Sequence, residues 1–345
     1  MFLVCVLNVF GHLARPSCNF ALRVLRGLVQ CALKGTNTSL TESQERLLKK
    51  FPVDVRSVRN SFDIEPVITI YATCPKCSFT HKPLRTKSKV DVYPTRCQYV
   101  RYRGGKTCGV RLVKHKVVDG ESVRAPILPF AYQSFPAFVA GLMSRPGVED
   151  MIDRAWERSS KEELWDIWDG SAVREIPGAD EKLFGQGGKD EARMVWSLSL
   201  DWFNPYMNKA AGKSASTGSM AMACLNLPPS IRHKPEYLYL SGMIPRDPHV
   251  DEVNHFLRPL VDDLLPSWQS GTWYNKTHNY PNGRRAYSAI GILVSDLPGA
   301  RKAAGGIGIG GEFISPFYTE QRRQDINNIS IEVFPVSSSQ KKWNY

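Results

Sequence analysis

The sequence has little that would place it in a membrane or in a secreted disulfide scaffold. Its N-terminal apolar run stops after about 13 residues, whereas a membrane-spanning helix needs about 20. No basic segment precedes that run, so a signal peptide is not indicated. Eight cysteines in 345 residues are few and unevenly placed, which argues against a disulfide framework. We therefore expect a protein of a reducing compartment with no membrane partner.

Acidic residues are scarce in the N-terminal third. Residues 1–118 contain 21 Lys and Arg but 6 Asp and Glu, a net charge of +15, while the whole chain carries +12 and the remainder therefore −3. Such a charge favours a polyanionic partner, most simply nucleic acid, because phosphate neutralisation releases counterions. The alternative is a solvated basic surface without a ligand.

The residue pattern predicts an α+β multidomain protein. It consists of a helical N-terminal region, a zinc-ribbon-like module and an incomplete α/β domain of the ribonuclease H type. The regions are a helical segment at 1–65, a basic module at 66–118, a helical linker region at 119–192, the partial α/β domain at 193–304 and a divergent, disordered tail at 305–345. The first region is either a helix-turn-helix DNA reader or a plain helical hairpin.

Four of the cysteines are clustered in the basic module. "YATCPKC" supplies Cys74 and Cys77, and "TRCQYVRYRGGKTC" supplies Cys97 and Cys108. A Cys-x2-Cys turn places two thiolates at adjacent positions of a tetrahedral zinc ion. The second pair is wider than a standard zinc knuckle, and His81 is an alternative ligand. We expect structural zinc, against the alternative of unliganded or redox-active thiols.

Basic and aromatic side chains alternate around the second cysteine pair. Such side chains suit phosphates and base faces. The candidate DNA-binding residues are Arg96, Arg101, Arg103 and Lys106, interleaved with Tyr99 and Tyr102. The alternative is that these side chains only cover the surface of a zinc-binding loop and bind no ligand.

The last domain shows three strands, a helix and a further strand. The predicted strands span residues 194–201, 216–225, 236–244 and 286–295, with a helix at 250–265 and a short helix from Pro298. This order matches the opening elements of a ribonuclease H fold.

Two of these strands end on a carboxylate. "SLSLDWFNP" ends at Asp201 and "GILVSDLPG" at Asp296. A carboxylate desolvated at a strand end is costly unless it is paired, hydrogen-bonded or metal-bound. In a ribonuclease H sheet the two strands are neighbours, so both carboxylates would converge on one ion. The alternative is that each forms a helix cap or a turn.

Several longer stretches occur in a fixed order through residues 10–304. They include "DWFNP", "CLNLPPSIRHKPE", "LRPLVDDLL" and "SDLPGARKAAG", preceded by "YATCPKC", "YPTRC" and "SRPGVEDMID". In these stretches the chain resembles the transposases of CACTA-type (En/Spm-like) DNA transposons, of the kind abundant in basidiomycete fungi.

The resemblance implies a DDE-type transposase, in which Asp201 is the first acid and Asp296 the second. Mg²⁺ or Mn²⁺ would be the catalytic ion and transposon-end DNA the substrate, with strand cleavage followed by transfer of the free 3′ hydroxyl. Self-association is a second expectation for partners. The chemistry of DNA implies a nuclear location, and otherwise a cytoplasmic one.

The chain departs from the family pattern after "DLPGARKAAG". The later acids Glu312, Glu320, Asp325 and Glu332 lack family context, so none is assigned as the third acid. We therefore expect a truncated and catalytically incomplete element. The alternatives are a non-catalytic zinc-containing DNA-binding protein and a protein-interaction scaffold.

Overall fold

The structure is a computed structural model. It describes residues 1–9, 11–35, 39–62, 64–86, 90–118, 121–159, 163–188, 190–205, 216–249 and 252–296. The chain divides into two compact units, Met1–Val67 and Ile68–Tyr345. The predicted helix from Pro298, the predicted tail and the four later acids lie outside the described residues.

The first unit is helical, as its sequence pattern predicts. Its helices are α1 (Phe2–Val9), α2 (Arg15–Lys34), α3 (Glu42–Lys50) and α4 (Val55–Ser61). Pro16 lies in the first turn of α2, where its missing N–H costs no hydrogen bond. Thr41 and Gln44 form a reciprocal capping box at α3. A small core of side chains from α1, α2 and α4 holds the unit together: Val4, Cys5, Cys18, Leu22, Val55 and Val58.

The second unit is built on an eight-stranded mixed sheet. Its members are β1 (Ile68–Thr73), β2 (Thr80–His81), β7 (Leu128–Gln133), β8 (Glu191–Phe203), β9 (Thr217–Cys224), β10 (Leu238–Ile244), β11 (Thr272–Tyr274) and β12 (Arg284–Ser295). Their order across the sheet is β11-β12-β8-β9-β10-β7-β1-β2. β12 and β8 are parallel, and the other neighbours in this sheet are antiparallel.

Two short two-stranded hairpins, three α-helices and a 3₁₀-helix at Ile167–Asp169 also belong to the described part of this unit. The hairpins pair β3 (Leu84–Arg85) with β4 (Asp91–Val92) and β5 (Val113–Val118) with β6 (Glu121–Pro126), and the helices are α5 (Phe135–Met143), α6 (Val148–Trp156) and α7 (Asn254–Gln269). Within the described residues, no helix is both long and apolar enough to cross a bilayer.

Both faces of β8 are buried along most of its length, which explains its nearly continuous apolar sequence. Met194, Trp196 and Leu198 point to the face that α5, α6 and α7 cover. Val195 points to the other face, where Trp168 and neighbouring side chains of the 155–184 region pack against it. The strand therefore lies in the middle of the core, and its carboxyl end emerges at the rim.

The elements predicted for the last domain are present wherever the structure describes them, with boundaries that differ by a few residues. The central strand order β12-β8-β9-β10 follows from them. The sequence did not indicate that β7 and β1 extend the same sheet beyond β10, through pairs such as Met243 with Ala131.

Candidate functional site

Asp201 and Asp296 lie at the same end of two neighbouring parallel strands. Asp201 is near the end of β8, opposite Ser219 of β9. Asp296 directly follows Ser295, and Ser295 pairs with Leu200. The next step of that register places Asp296 beside Asp201, and adjacent strands lie about 4.8 Å apart. The backbone therefore brings both predicted acids to one rim.

A β-bulge at Gly291 brings the two residues into alignment. Ile290 pairs with Trp196 and Ile292 with Ser197, so Gly291 is an extra residue on β12. If Gly291 were paired instead of bulged, Asp296 would lie opposite Trp202. Its side chain would then point to the face of the sheet opposite to that of Asp201. A Cβ at Gly291 would lie 2.7 Å from a methyl of Val195 and 2.8 Å from one of Ile176, so close packing favours glycine at this position.

The rim is open to solvent. Asp201 and Asp296 are both exposed, so the desolvation argument drawn from the sequence does not apply to them. Nearby hydroxyls bind the strand backbone: Ser295 Oγ donates to the carbonyl of Leu200, and Ser219 Oγ donates to the carbonyl of Asp201 over 3.5 Å. The case for a shared ion therefore rests on the register of β12 with β8, which puts both carboxylates on the same face of the sheet. Exposed carboxylates of this kind suit a hard, partly hydrated cation.

The four cysteines of the basic module converge. The sulfurs of Cys74, Cys77, Cys97 and Cys108 all lie within 4.8 Å of one another. Cys74 and Cys108 are 3.7 Å apart and Cys77 and Cys97 are 3.6 Å apart. A zinc ion bound tetrahedrally at about 2.3 Å requires sulfur separations of roughly 3.8 Å. The four residues could therefore hold zinc with little rearrangement.

Two different local structures present the ligand pairs. Cys74 and Cys77 lie on a tight turn that is closed by hydrogen bonds between Cys74 and Phe79 and between Ser78 and Cys74. Cys97 and Cys108 lie on the two opposing segments of a hairpin, in which the Cys97 amide donates to Val110 and the Cys108 amide donates to Tyr99. The ten-residue gap between them is the length of that hairpin, which explains why the second pair does not have knuckle spacing.

Each of the four sulfurs is near the backbone amide two residues further along the chain. The Lys76 amide lies 3.4 Å from Cys74 Sγ. The other amide–thiol pairs are Phe79 with Cys77, Tyr99 with Cys97 and Val110 with Cys108. Amide donors stabilise a thiolate, so the turn backbone offsets part of the cost of four converging negative charges.

The thiol pKa values reflect the same balance in the metal-free state. Burial raises the pKa of Cys77 and raises that of Cys97 to about 12, against the lowering effect of the amides. Burial also opposes ionisation of Cys108, but hydrogen bonds from Val110 and the neighbouring thiols outweigh it and lower its pKa. A bound cation would deprotonate all four thiols.

His81 lies beside the cysteines and is not one of the four converging groups. Its Nε2 is 3.4 Å from Cys97 Sγ, and its ring contacts Phe79 edge-on at 4.9 Å. Burial lowers its pKa. The position suits a histidine that supports a ligand sulfur, as metal sites commonly require.

The cysteine turn is attached to the start of α7. Ser78 has a φ of 55°, and its hydroxyl donates to Glu252 over 2.6 Å. Thr80 donates to the carbonyl of His255 over 2.7 Å. The His255 ring packs on Tyr99 at 4.9 Å. The module is therefore fixed both to Glu252, just before α7, and to His255 in the first turn of α7.

The candidate DNA-binding residues lie on the same hairpin as Cys97 and Cys108. The tip of this hairpin carries three exposed basic residues, Arg101, Arg103 and Lys106. Arg96 is exposed nearer the base of the hairpin, where its guanidinium donates to the carbonyl of Gly109 over 3.0 Å. The two interleaved tyrosines differ in their environment. Tyr102 is 71% exposed, whereas the ring of Tyr99 stacks on that of Phe79.

Sequence reasoning missed a buried ion network beneath the sheet. Glu149 and Arg284 are both fully buried and pair at 3.3 Å. Arg284 also contacts both oxygens of Asp153, and Glu149 accepts hydrogen bonds from Thr277 and the Asn279 amide. The network ties α6 to the start of β12. Its only sequence signal is the motif "SRPGVEDMID", which contains two of the acids.

Other motif residues also have structural roles. Asn226 links Val195 to the carbonyls of Ile152 and Arg193. Asp263 accepts from the Tyr132 hydroxyl and from the first amide of α5. These residues hold the sheet and helices in place.

Residues 169–324 match the family model described as transposase family tnp2, the domain of En/Spm-type transposases. The matched range contains β8 to β12, α7 and both strand-end acids. This segment of the chain is thus similar to the tnp2 transposase domain, and the predicted resemblance is confirmed for residues 169–324. None of the curated proteins matches the chain.

Proposed function

We propose that the chain is a transposon-derived DDE-type transposase that binds DNA and performs metal-dependent strand cleavage and transfer. The observation that carries this proposal is the alignment of Asp201 with Asp296 at one rim, inside the segment that matches the tnp2 family. The strand order β12-β8-β9-β10 is that of a ribonuclease H sheet and supports the same assignment.

Asp201 and Asp296 would hold Mg²⁺ or Mn²⁺ through their carboxylates. The ion, when bound, supplies electrostatic activation of the attacking oxygen and stabilisation of the leaving one. In cleavage, a water oxygen bonds to phosphorus and the bond from phosphorus to the 3′ oxygen breaks, which leaves a 3′ hydroxyl and a 5′ phosphate. In transfer, that 3′ hydroxyl attacks a phosphodiester of the target, whose own 3′ oxygen departs.

The four-cysteine module would hold structural zinc and present the hairpin of Arg96, Arg101, Arg103 and Lys106 to DNA. Its attachment through Ser78 to Glu252, just before α7, and through Thr80 to His255 in the first turn of α7 supports a fixed position relative to the sheet. We assign no third acid among the described residues. With two carboxylates alone, we propose weak ion binding and low catalytic activity.

A nicking assay on the full-length, zinc-loaded protein tests the catalytic part. We expect Mn²⁺-dependent conversion of supercoiled plasmid to nicked circles. Asp201→Asn and Asp296→Asn should each slow it about 100-fold or more, since an ion at the reacting oxygens is worth several kcal/mol. Asp262→Asn is the matched control, because Asp262 is an exposed acid of α7 paired with Arg258. Equal rates in all three variants would contradict the assignment.

A non-catalytic DNA-binding protein is the second candidate function. The observation that favours it is the combination of a zinc-compatible cysteine cluster with a strongly basic hairpin. It predicts salt-sensitive DNA binding by the full chain with no nicking in any divalent cation. Binding that is retained in Asp201→Asn, together with an absence of nicking in the unmodified chain, would select this candidate.

A further inference from the structure

A basic groove lies between the cysteine hairpin and the β5–β6 hairpin. Its volume is about 270 Å³, and four of its six lining residues are cationic or titratable bases. The lining residues are Thr95, Arg96, Arg111, Val113, His115 and Arg124. The lining contains no acidic side chain, so the groove concentrates positive charge.

The bases are arranged as two cross-strand pairs of basic residues. Arg96 is bridged to Arg111 in the cysteine hairpin, and His115 pairs with Arg124 between β5 and β6. Directly opposed residues of an antiparallel pair have Cβ atoms about 5 Å apart, and like charges there destabilise the sheet. The opposed Arg96 and Arg111, with Arg124 lining the same groove, therefore favour an anion between them.

Short contacts to the protein orient these side chains without neutralising them. Arg96 donates to the Gly109 carbonyl over 3.0 Å, and Arg111 Nε donates to the Val113 carbonyl over 2.9 Å. His115 Nδ1 lies 3.3 Å from Ser122 Oγ. Across the described residues, none of the four bases forms an ion pair with a carboxylate. Because a guanidinium has five N–H donors, each arginine keeps most of its donors for a ligand.

We propose that this groove binds consecutive backbone phosphates of DNA. The proposal rests on the DNA-binding function proposed above and adds Arg111, His115 and Arg124 to the contact surface. Guanidinium groups match phosphate oxygens in a bidentate geometry. The groove shares Arg96 with the hairpin whose tip carries Arg101, so one DNA strand can follow both. The four basic side chains of the lining are exposed, which suits a polyanion that passes through the groove.

The test compares two charge-matched double variants of the full-length, zinc-loaded protein. Arg111→Gln with Arg124→Gln removes two groove charges. Lys114→Gln with Lys116→Gln removes two charges from the β5–β6 hairpin, which also carries Arg124. Lys114 pairs with Ala125 and Lys116 with Val123, so their side chains alternate to the face opposite His115. Zinc content and thermal midpoint verify that both variants are folded.

Binding of a fluorescent duplex of random sequence is measured by anisotropy between about 50 and 200 mM salt. Loss of two phosphate contacts should lower the slope of log K against log salt by about 1.8 and weaken binding about 10- to 60-fold at about 0.1 M salt. The lysine control should keep the slope of the unmodified chain. Equal losses in both variants, or no loss in the arginine variant, would overturn the proposal.

Titration with inorganic phosphate at constant ionic strength distinguishes a DNA-binding groove from a small-anion pocket. Binding of phosphate that disappears in the arginine variant, with unchanged duplex affinity, refutes the DNA assignment. The anisotropy assay requires no catalysis. Failure of Asp201→Asn to affect nicking would therefore overturn the catalytic assignment alone. The groove proposal would still be tested by the salt dependence of duplex binding in the arginine variant.

Discussion

Replacement of Arg284 by methionine should destabilise the second unit severely. Arg284 and Glu149 have no exposed side-chain surface, and Asp153 is only partly exposed. Without the guanidinium, Glu149 keeps two donors, Thr277 Oγ1 at 2.9 Å and the Asn279 amide at 2.7 Å, but it has no counter-charge. Breaking a buried pair in this way costs about 3–5 kcal/mol, which is a large part of a typical unfolding free energy of about 5–15 kcal/mol.

Urea unfolding of the zinc-loaded chain, followed by tryptophan fluorescence, measures this cost. Arg258→Met is the control, because the Arg258–Asp262 pair of α7 is mostly exposed at 71% and 59% and such pairs are worth at most about 1 kcal/mol. Adding Glu149→Gln to Arg284→Met should recover part of the loss, since no uncompensated charge remains at that position. A cost below about 1 kcal/mol for Arg284→Met would refute the reasoning.

The pH dependence provides an independent check. Burial raises the pKa of Asp153, although hydrogen bonds from Arg284 lower it. Without Arg284 this pKa should rise further. A carboxyl with a raised folded pKa contributes stability below its unfolded pKa and loses it as pH rises through the folded value. The cost of Arg284→Met should therefore be smaller near pH 5 than near pH 8.

Three other predictions concern separate parts of the chain. Cys77→Ser should weaken zinc binding by at least about 100-fold, measured by competition with a chromophoric chelator. Hydrogen bonds from Arg56 and Arg15 hold the pKa of Asp54 well below its usual range. Asp54 therefore stabilises α4 above about pH 4, and this stabilisation is lost as the pH falls. In Asp54→Asn, circular dichroism should no longer show this loss of helix stability at low pH. Gly291→Ala should cost about 1–3 kcal/mol in urea unfolding, because its Cβ overpacks the neighbouring strand.

The local features of the site were predictable because each depends on a short stretch of sequence. The apolar runs that end at Asp201 and Asp296 indicated strands, and the match of the element order to a ribonuclease H fold predicted that these two strands are neighbours. The four cysteines were predictable as a cluster because a Cys-x2-Cys turn and a second cysteine pair lie in one short basic segment. The hairpin that joins Cys97 to Cys108 was not, since its pairing depends on backbone hydrogen bonds such as Cys97 with Val110.

The missed features depend on long-range contacts. Glu149 and Arg284 are 135 residues apart, and Asp263 caps a helix that begins 128 residues before it. No periodicity marks such partners, because a single acidic residue looks the same on a solvated face as in a buried network. The bulge at Gly291 was also missed, since a lone glycine in a strand indicates several different geometries.

The pairing of β7 with β10 has a practical consequence for fragments of this protein. The family match begins at residue 169, but β7 and β1, which cover the outer side of β10, precede that boundary. A polypeptide cut there would expose the backbone donors and acceptors of β10, and an uncovered strand edge of this kind recruits other chains. The minimal autonomous unit should therefore start near Ile68, with the cysteine module included, and shorter pieces should precipitate when produced alone.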